Sequence, residues 1–153
     1  MFGMRKGTPE GVFKTLRNAL DKRDLKYEID EDNQAIGLSV MGDDLPIPTM
    51  IQVNDNHVRF TAILAFKAIE ASYKDVAWNL NLLNTELTFG SFSLNPEDGI
   101  VRFDYSYIIS NAKPTEDILI ALLKMVWTTV DEHDGDLKKI VPVARDINNP
   151  MFG

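Results

Sequence analysis

The sequence contains no cysteine, and histidine occurs only at His57 and His133. The missing cysteine excludes disulfide bridges, thiolate metal sites, iron–sulfur clusters and a cysteine nucleophile. The two histidines do not form a metal-binding spacing such as HExxH. We expect His57 to be solvated at the start of a strand and His133 to be solvated at a helix end, where the helix dipole favours a cation. The sequence therefore predicts no metal site and no cofactor.

Motifs for nucleotide binding and for nucleophilic catalysis are also missing. The chain has no GxGxxG, no GxxxxGK[ST] and no GxSxG pattern. The acidic run at residues 131–136 fails the calcium-loop pattern, because the first and last ligand positions fall on Val130 and Val141. These absences favour a protein without enzymatic activity.

Basic residues are fewer than acidic ones: the chain has 16 Lys and Arg and 23 Asp and Glu, which gives a formal charge of −7. Such a surface repels the phosphates of nucleic acids and of anionic membranes. The most apolar run, residues 118–130, is interrupted by Lys124 and is too short to span a bilayer. The first residues lack the apolar segment of a signal peptide. We therefore expect a cytoplasmic protein whose partners include neither nucleic acid nor a membrane.

What the chain does have is the composition of a globular protein, with 44% hydrophobic and 25% charged residues. No internal repeat or long linker divides its 153 residues. We therefore expect a single domain over residues 1–153. The sequence leaves open whether a tail at residues 142–153 is docked or flexible.

Helical spacing of apolar residues predicts a first helix over residues 8–22, with Thr8 as its cap. A third helix is predicted over residues 115–132, with Gly135 as its stop and a short amphipathic piece after it. The third helix is so apolar that we expect it to be heavily buried or shared with a second subunit.

Alternation of apolar and polar residues predicts the strands of one antiparallel sheet. We expect the first of them to be half-buried, and we expect Pro46 and Pro48 to delay the third strand until Thr49. The predicted strands cover residues 25–29, 35–41, 49–53, 58–64, 88–94 and 100–106. The order α-β-β-β(-β)-α-β-β-α indicates an α+β fold with a sheet of five to six strands and flanking helices.

The middle helix has two apolar sides. We expect Ser72 and Asp75 to form a capping box at its start. Trp78 and Leu82 are four residues apart and lie opposite the main apolar face. Either Trp78 tucks beside its neighbours, or the pair contacts a partner subunit or a client, with Trp127 of the third helix as a further contact. The main apolar face comprises Tyr73, Val76, Ala77, Leu80, Leu83 and Leu87.

Two segments resemble the YbjN family. Residues 80–84 (LNLLN) are similar to the family's LNxxN motif, and residues 92–101 are similar to a hairpin motif with a central glycine. The apolar helix at residues 118–130 follows in the family's order. The motif residues in this chain are Leu80, Asn81, Asn84 and Gly99.

The resemblance implies a small cytoplasmic α+β homodimer without known chemistry, which binds a protein segment or acts in regulation. That family shares its fold with type III secretion chaperones of the CesT kind, in which the middle helix and neighbouring strands build the dimer and apolar patches hold an extended client segment. For Asn81 and Asn84 we expect a local role, in which the side chains satisfy backbone groups where the helix ends.

Two other functions stay open. One is a dedicated type III secretion chaperone that serves a single effector. The other is a small-molecule sensor or an unrecognised enzyme, which requires an enclosed pocket with convergent polar groups.

Overall fold

A computed structural model describes residues 8–43, 46–110 and 112–141 of the chain. The predicted tail at residues 142–153 lies outside these described residues. The helices are α1 (Pro9–Lys22), a 3-10 turn (Glu70–Ser72), α2 (Tyr73–Asn84) and α3 (Glu116–Ile140). The strands are β1 (Glu28–Asp30), β2 (Ala35–Met41), β3 (Pro46–Val53), β4 (His57–Lys67), β5 (Ser91–Leu94) and β6 (Ile100–Ile108). This order confirms the predicted α+β arrangement and gives it six strands.

The six strands form one antiparallel sheet in the order β1-β2-β3-β4-β6-β5. Alternate side chains of β3 and β4 are buried, which is the pattern of a sheet with one covered face. Helices α1 and α3 pack on each other and on that face, and α2 packs beside the edge strand β5. Among residues 8–43, 46–110 and 112–141, no helix packs on the opposite face, which we call the helix-free face. The shared core includes Phe60 and Phe103 of the sheet together with Leu16 and Leu123 of the helices.

The first helix begins as predicted. Thr8 has an extended backbone, and its side chain accepts a hydrogen bond from the Gly11 N–H. Pro9 occupies the first helical position, where its missing N–H has no partner to lose. The predicted first strand, by contrast, is shorter, and all three of its residues are exposed. It is an edge strand, so it has only one neighbour.

Strand β3 starts at Pro46, three residues before the predicted start at Thr49. The N–H of Val53 donates to the carbonyl of Gln34, which precedes β2. Backbone groups alternate in direction along an antiparallel strand, so those of Pro46 and Pro48 point away from β2. Strand β4 pairs with β3 only from Thr49 onward. The missing N–H groups of the two prolines therefore remove no ladder hydrogen bond.

Helix α3 does not stop at Gly135 but continues to Ile140. Leu137, two residues beyond Gly135, is fully buried in the core. Its burial offsets the cost of a glycine in a helix interior, which is about 1 kcal/mol. As a result His133 lies inside α3 rather than at its end, and its Nδ1 is 2.8 Å from the Thr129 carbonyl oxygen.

The predicted capping box at the start of α2 does not form. Ser72 makes no side-chain cap to the helix, and its hydroxyl donates instead to the Ile69 carbonyl at 2.8 Å. Ser72 belongs to the 3-10 turn that runs directly into α2, so its backbone is not extended as a capping residue requires.

Candidate interaction surface on the middle helix

The C-terminal end of α2 is fixed to the sheet by Asn84. The side-chain Nδ2 of Asn84 donates to the Phe92 carbonyl at 2.9 Å, and its Oδ1 accepts from the Phe92 N–H at 2.8 Å. Phe92 belongs to β5, which pairs with β6 on its other side. The asparagine thus occupies the place of a further strand. These hydrogen bonds are made to the backbone of β5. The sequence had instead suggested that Asn84 satisfies backbone groups at the end of its own helix.

The N-terminal end of α2 is held near the β5–β6 turn by Gly99. Gly99 has a φ of +74°, a conformation that favours glycine. A Cβ at this position would lie 2.7 Å from the Ala68 carbonyl oxygen and 2.8 Å from the Tyr73 hydroxyl oxygen. The Ala68 N–H also donates to the Gly99 carbonyl at 2.7 Å. Two motif residues, Asn84 and Gly99, therefore lie against opposite ends of α2 and fix which of its faces is directed outward.

One face of α2 is buried and the opposite face carries large apolar side chains. Val76, Leu80 and Leu83 pack into the core. Trp78 is 63% exposed and Leu82 is 47% exposed. Trp78 therefore does not tuck beside its neighbours. Among the other residues predicted for this helix, the motif residue Asn81 and Ala77 are also exposed.

Charges of opposite sign flank the exposed apolar pair. Lys74 lies four residues before Trp78, and Glu86 lies four residues after Leu82, in the turn that follows α2. Both charged residues are exposed. The sequence analysis missed them, although their symmetric spacing about the apolar pair can be read directly from the chain. We call Lys74, Trp78, Leu82 and Glu86 the α2 surface.

Trp127 does not extend the α2 surface. It is half-buried on α3, and its indole Nε1 donates to the Thr49 hydroxyl oxygen at 2.9 Å. Thr49 is buried on β3 and donates in turn to the Ile47 carbonyl at 3.2 Å. Trp127 therefore joins α3 to the sheet within the subunit, whereas Trp78 points away from the core.

Two side chains near β1, at the opposite edge of the sheet from α2, have shifted pKa values. The hydrogen bond from the Tyr27 hydroxyl to the Asp21 carboxylate raises the pKa of Tyr27 above its ordinary value. Hydrogen bonds from the side chain and backbone of Asn33 lower the pKa of Asp30. Both shifts come from local contacts at the surface.

The described residues contain no group of three or more His, Asp or Glu side chains that could hold a metal ion. A trough of about 570 Å³ lies on the helix-free face of the sheet, but it is open to solvent. Small-molecule sites usually enclose most of their ligand, so this shape does not favour the sensor hypothesis. Within residues 8–43, 46–110 and 112–141, none of the helices has the length and apolarity to cross a membrane.

Comparisons with known proteins identify one family model and one solved structure that match the chain. The family model described as "YbjN: Putative bacterial sensory transduction regulator" matches residues 13–138. The fold is similar to that in the structure titled "Crystal structure of YbjN, a putative transcription regulator from E. coli". The two chains are 12% identical, the match covers 86% of this chain and 96% of that one, and the TM-score is 0.64. At this identity the likeness shows the fold alone. No curated protein matches the chain.

Proposed function

The chain belongs to the YbjN family, and from this premise we propose that it is a non-enzymatic, cytoplasmic protein-binding module that works as a homodimer. The observation that carries the proposal is the exposure of Trp78 and Leu82 on a helix whose other face is already buried. The family's description as a sensory transduction regulator supports a role in regulation through protein contacts.

Burial of the apolar pair supplies the driving force for association. Removing a large apolar side chain from water stabilises by about 1.5–3 kcal/mol. A symmetric contact between two copies removes Trp78 and Leu82 from water on both subunits. Aromatic residues are enriched in the buried centres of protein interfaces, and tryptophan is prominent among the residues that dominate binding energy.

The charges of the α2 surface favour a second copy of the chain as the partner. If two α2 helices pack antiparallel about a twofold axis between Trp78 and Leu82, the tryptophan meets the partner subunit's Leu82. The same symmetry brings Lys74 to the partner subunit's Glu86, twice per dimer. An exposed ion pair of this kind contributes only about 0.2–1 kcal/mol, but it selects the orientation of the helices.

The first experiment measures mass in solution by light scattering after size-exclusion chromatography. We expect the unmodified protein to be a dimer at micromolar concentration and Trp78→Glu to be a monomer with an unchanged circular-dichroism spectrum. Ile108→Glu is the matched control, because Ile108 is 66% exposed on β6 and the variant should stay dimeric. An unmodified protein that is monomeric at this concentration overturns the homodimer.

The second experiment tests the antiparallel arrangement by exchanging charges. We expect Lys74→Glu and Glu86→Lys each to weaken dimerisation, because each places like charges together. The double variant restores opposite charges and should recover most of the loss, as measured by sedimentation equilibrium at low salt. If the double variant is weaker than either single variant, the antiparallel arrangement is wrong.

A further inference from the structure

In the part of the chain that the structure describes, strand β2 has a free edge along its C-terminal half. On the side away from β3, β2 pairs with β1 only through residues 35–37. Ser39 and Met41 lie beyond this pairing. Residues 25–27 lead into β1, and within the described part of the chain no backbone hydrogen bond joins them to Ser39 or Met41.

The direction of the backbone groups at this edge follows from the neighbouring ladder. The carbonyl of Gln34 accepts from the N–H of Val53, so every second residue from Gln34 onward directs its backbone groups toward β3. Ser39 and Met41 belong to the other set. Their N–H and C=O groups, two donors and two acceptors, therefore point outward from the sheet, as at the edge of any strand that can accept a neighbour.

The trough of about 570 Å³ lies beside this free edge, on the helix-free face. Gly37 forms part of its floor, and a Cβ added there would meet nothing within 4 Å. Pro48, Met50 and Ile63 give it apolar walls, and Met41, at 72% exposure, extends the apolar area along β2. An extended peptide bound at the edge would direct alternate side chains into this space.

Acidic side chains are found near both ends of the free edge. Glu28 is in register with Gly37 and lines the trough, and the exposed Asp43 follows Met41 by two residues. Lys26 is the basic residue of the rim. The chain as a whole carries a formal charge of −7. The edge therefore complements a segment with apolar residues at its centre and a basic residue at each end.

We propose that the free edge of β2 binds an extended segment of another protein as an additional antiparallel strand, with apolar side chains in the trough and basic side chains at Glu28 and Asp43. A small molecule does not offer the regular donors and acceptors that Ser39 and Met41 require, whereas a peptide backbone does. The inference rests on the proposed protein-binding role but uses the opposite edge of the sheet from the α2 surface.

The probe is a fluorescein-labelled peptide of sequence Lys-Thr-Val-Thr-Val-Thr-Lys with blocked ends. With the valines opposite Met41 and Ser39, the first lysine lies opposite Asp43, and the last lysine lies past the free edge, beside Glu28 and not opposite Gly37, which Glu28 already pairs. The valines lie opposite Ser39 and Met41 in hydrogen-bonded pairs, and their side chains lie on the same face of the sheet as those of Ser39 and Met41. The valine N–H groups therefore point toward β2, and the threonine N–H groups point away. We expect saturable binding below ~1 mM by fluorescence anisotropy.

Methylation of backbone nitrogens in the probe distinguishes binding as an added strand from nonspecific binding. Methylation of both valine nitrogens removes the donors that face β2 and should weaken binding by roughly tenfold, whereas methylation of two threonine nitrogens should change it by less than about twofold. On the protein, Ser39→Pro removes an outward N–H without touching the β2–β3 ladder, and Ser39→Ala keeps that N–H. We expect only the proline variant to lose binding.

Four results overturn the proposal. Three of them concern the peptide: no saturable binding below ~1 mM, equal loss with both methylated peptides, or binding only to a chain that ends at Val141, which assigns the edge to residues 142–153 of the same chain. The fourth is loss of the dimer in Ser39→Pro, because a second copy then covers the edge. Trp78→Glu should leave peptide binding unchanged, so failure of the homodimer and failure of strand addition are distinguished.

Discussion

The side chain of Asn84 forms with Phe92 the two hydrogen bonds that a neighbouring strand would form. The distances are 2.9 Å to the Phe92 carbonyl and 2.8 Å from its N–H. One edge of the sheet is therefore closed by a helix residue, while among the described residues the opposite edge has no strand partner at Ser39 and Met41 of β2. A closed edge resists unwanted strand pairing, which is a recurrent requirement of sheet proteins.

Removal of this side chain should lower stability. We expect Asn84→Ala to reduce the free energy of unfolding by about 1–3 kcal/mol, because two backbone groups of Phe92 lose their partner. Urea denaturation followed by circular dichroism measures the change. The control is Asn81→Ala on the exposed side of the same helix, which should shift the free energy by less than ~0.5 kcal/mol. Equal effects of the two variants would contradict the proposed role of Asn84.

Two glycines should respond to alanine in opposite directions. At Gly99 the positive φ and the nearby Ala68 oxygen make a Cβ unfavourable, so Gly99→Ala should destabilise by about 1–3 kcal/mol. At Gly135, inside α3, a Cβ meets nothing within 4 Å. Gly135→Ala should stabilise by up to ~1 kcal/mol, the difference in helix propensity. Thermal unfolding midpoints of the two variants test both signs.

The hydrogen bond from Trp127 to Thr49 should appear as a coupling energy. Trp127→Phe removes the donor and leaves the buried Thr49 hydroxyl without it. We expect Trp127→Phe to cost about 1–3 kcal/mol. The loss in the double variant with Thr49→Val should fall short of the sum of the single losses by ~0.5 kcal/mol or more. Strict additivity would show that the two side chains do not stabilise each other.

Tyr27 should ionise at higher pH than an ordinary tyrosine. Its hydroxyl donates to the Asp21 carboxylate at 2.6 Å, and this raises the pKa above 10.0. The contact therefore contributes stability below pH 10, and that contribution is lost as the pH rises through the raised pKa of the folded protein. Asp21→Asn should lower the pKa of Tyr27. Tyrosinate absorbance, compared with that of Tyr27→Phe to isolate this one of four tyrosines, measures it.

Local features predicted much of the fold. The bounds of β2 and the cap of α1 match the structure because alternation and capping depend on residues close in sequence. Predictions failed where a distant contact decided the outcome. The burial of Leu137 carries α3 past Gly135. The start of β3 pairs with β2 but not with β4, and the backbone positions of Pro46 and Pro48 face the unpaired side, so the two prolines are tolerated.

Spacing along the chain is enough to predict the order of helices and strands, the family motifs and a second apolar side on α2. Tertiary contacts direct Trp78 outward, join Trp127 of α3 to β3 and let Asn84 close one sheet edge, whereas within the described residues Ser39 and Met41 leave the other edge free. Which groups find partners across the sheet depends on long-range register, and that register is fixed by burial of the whole core.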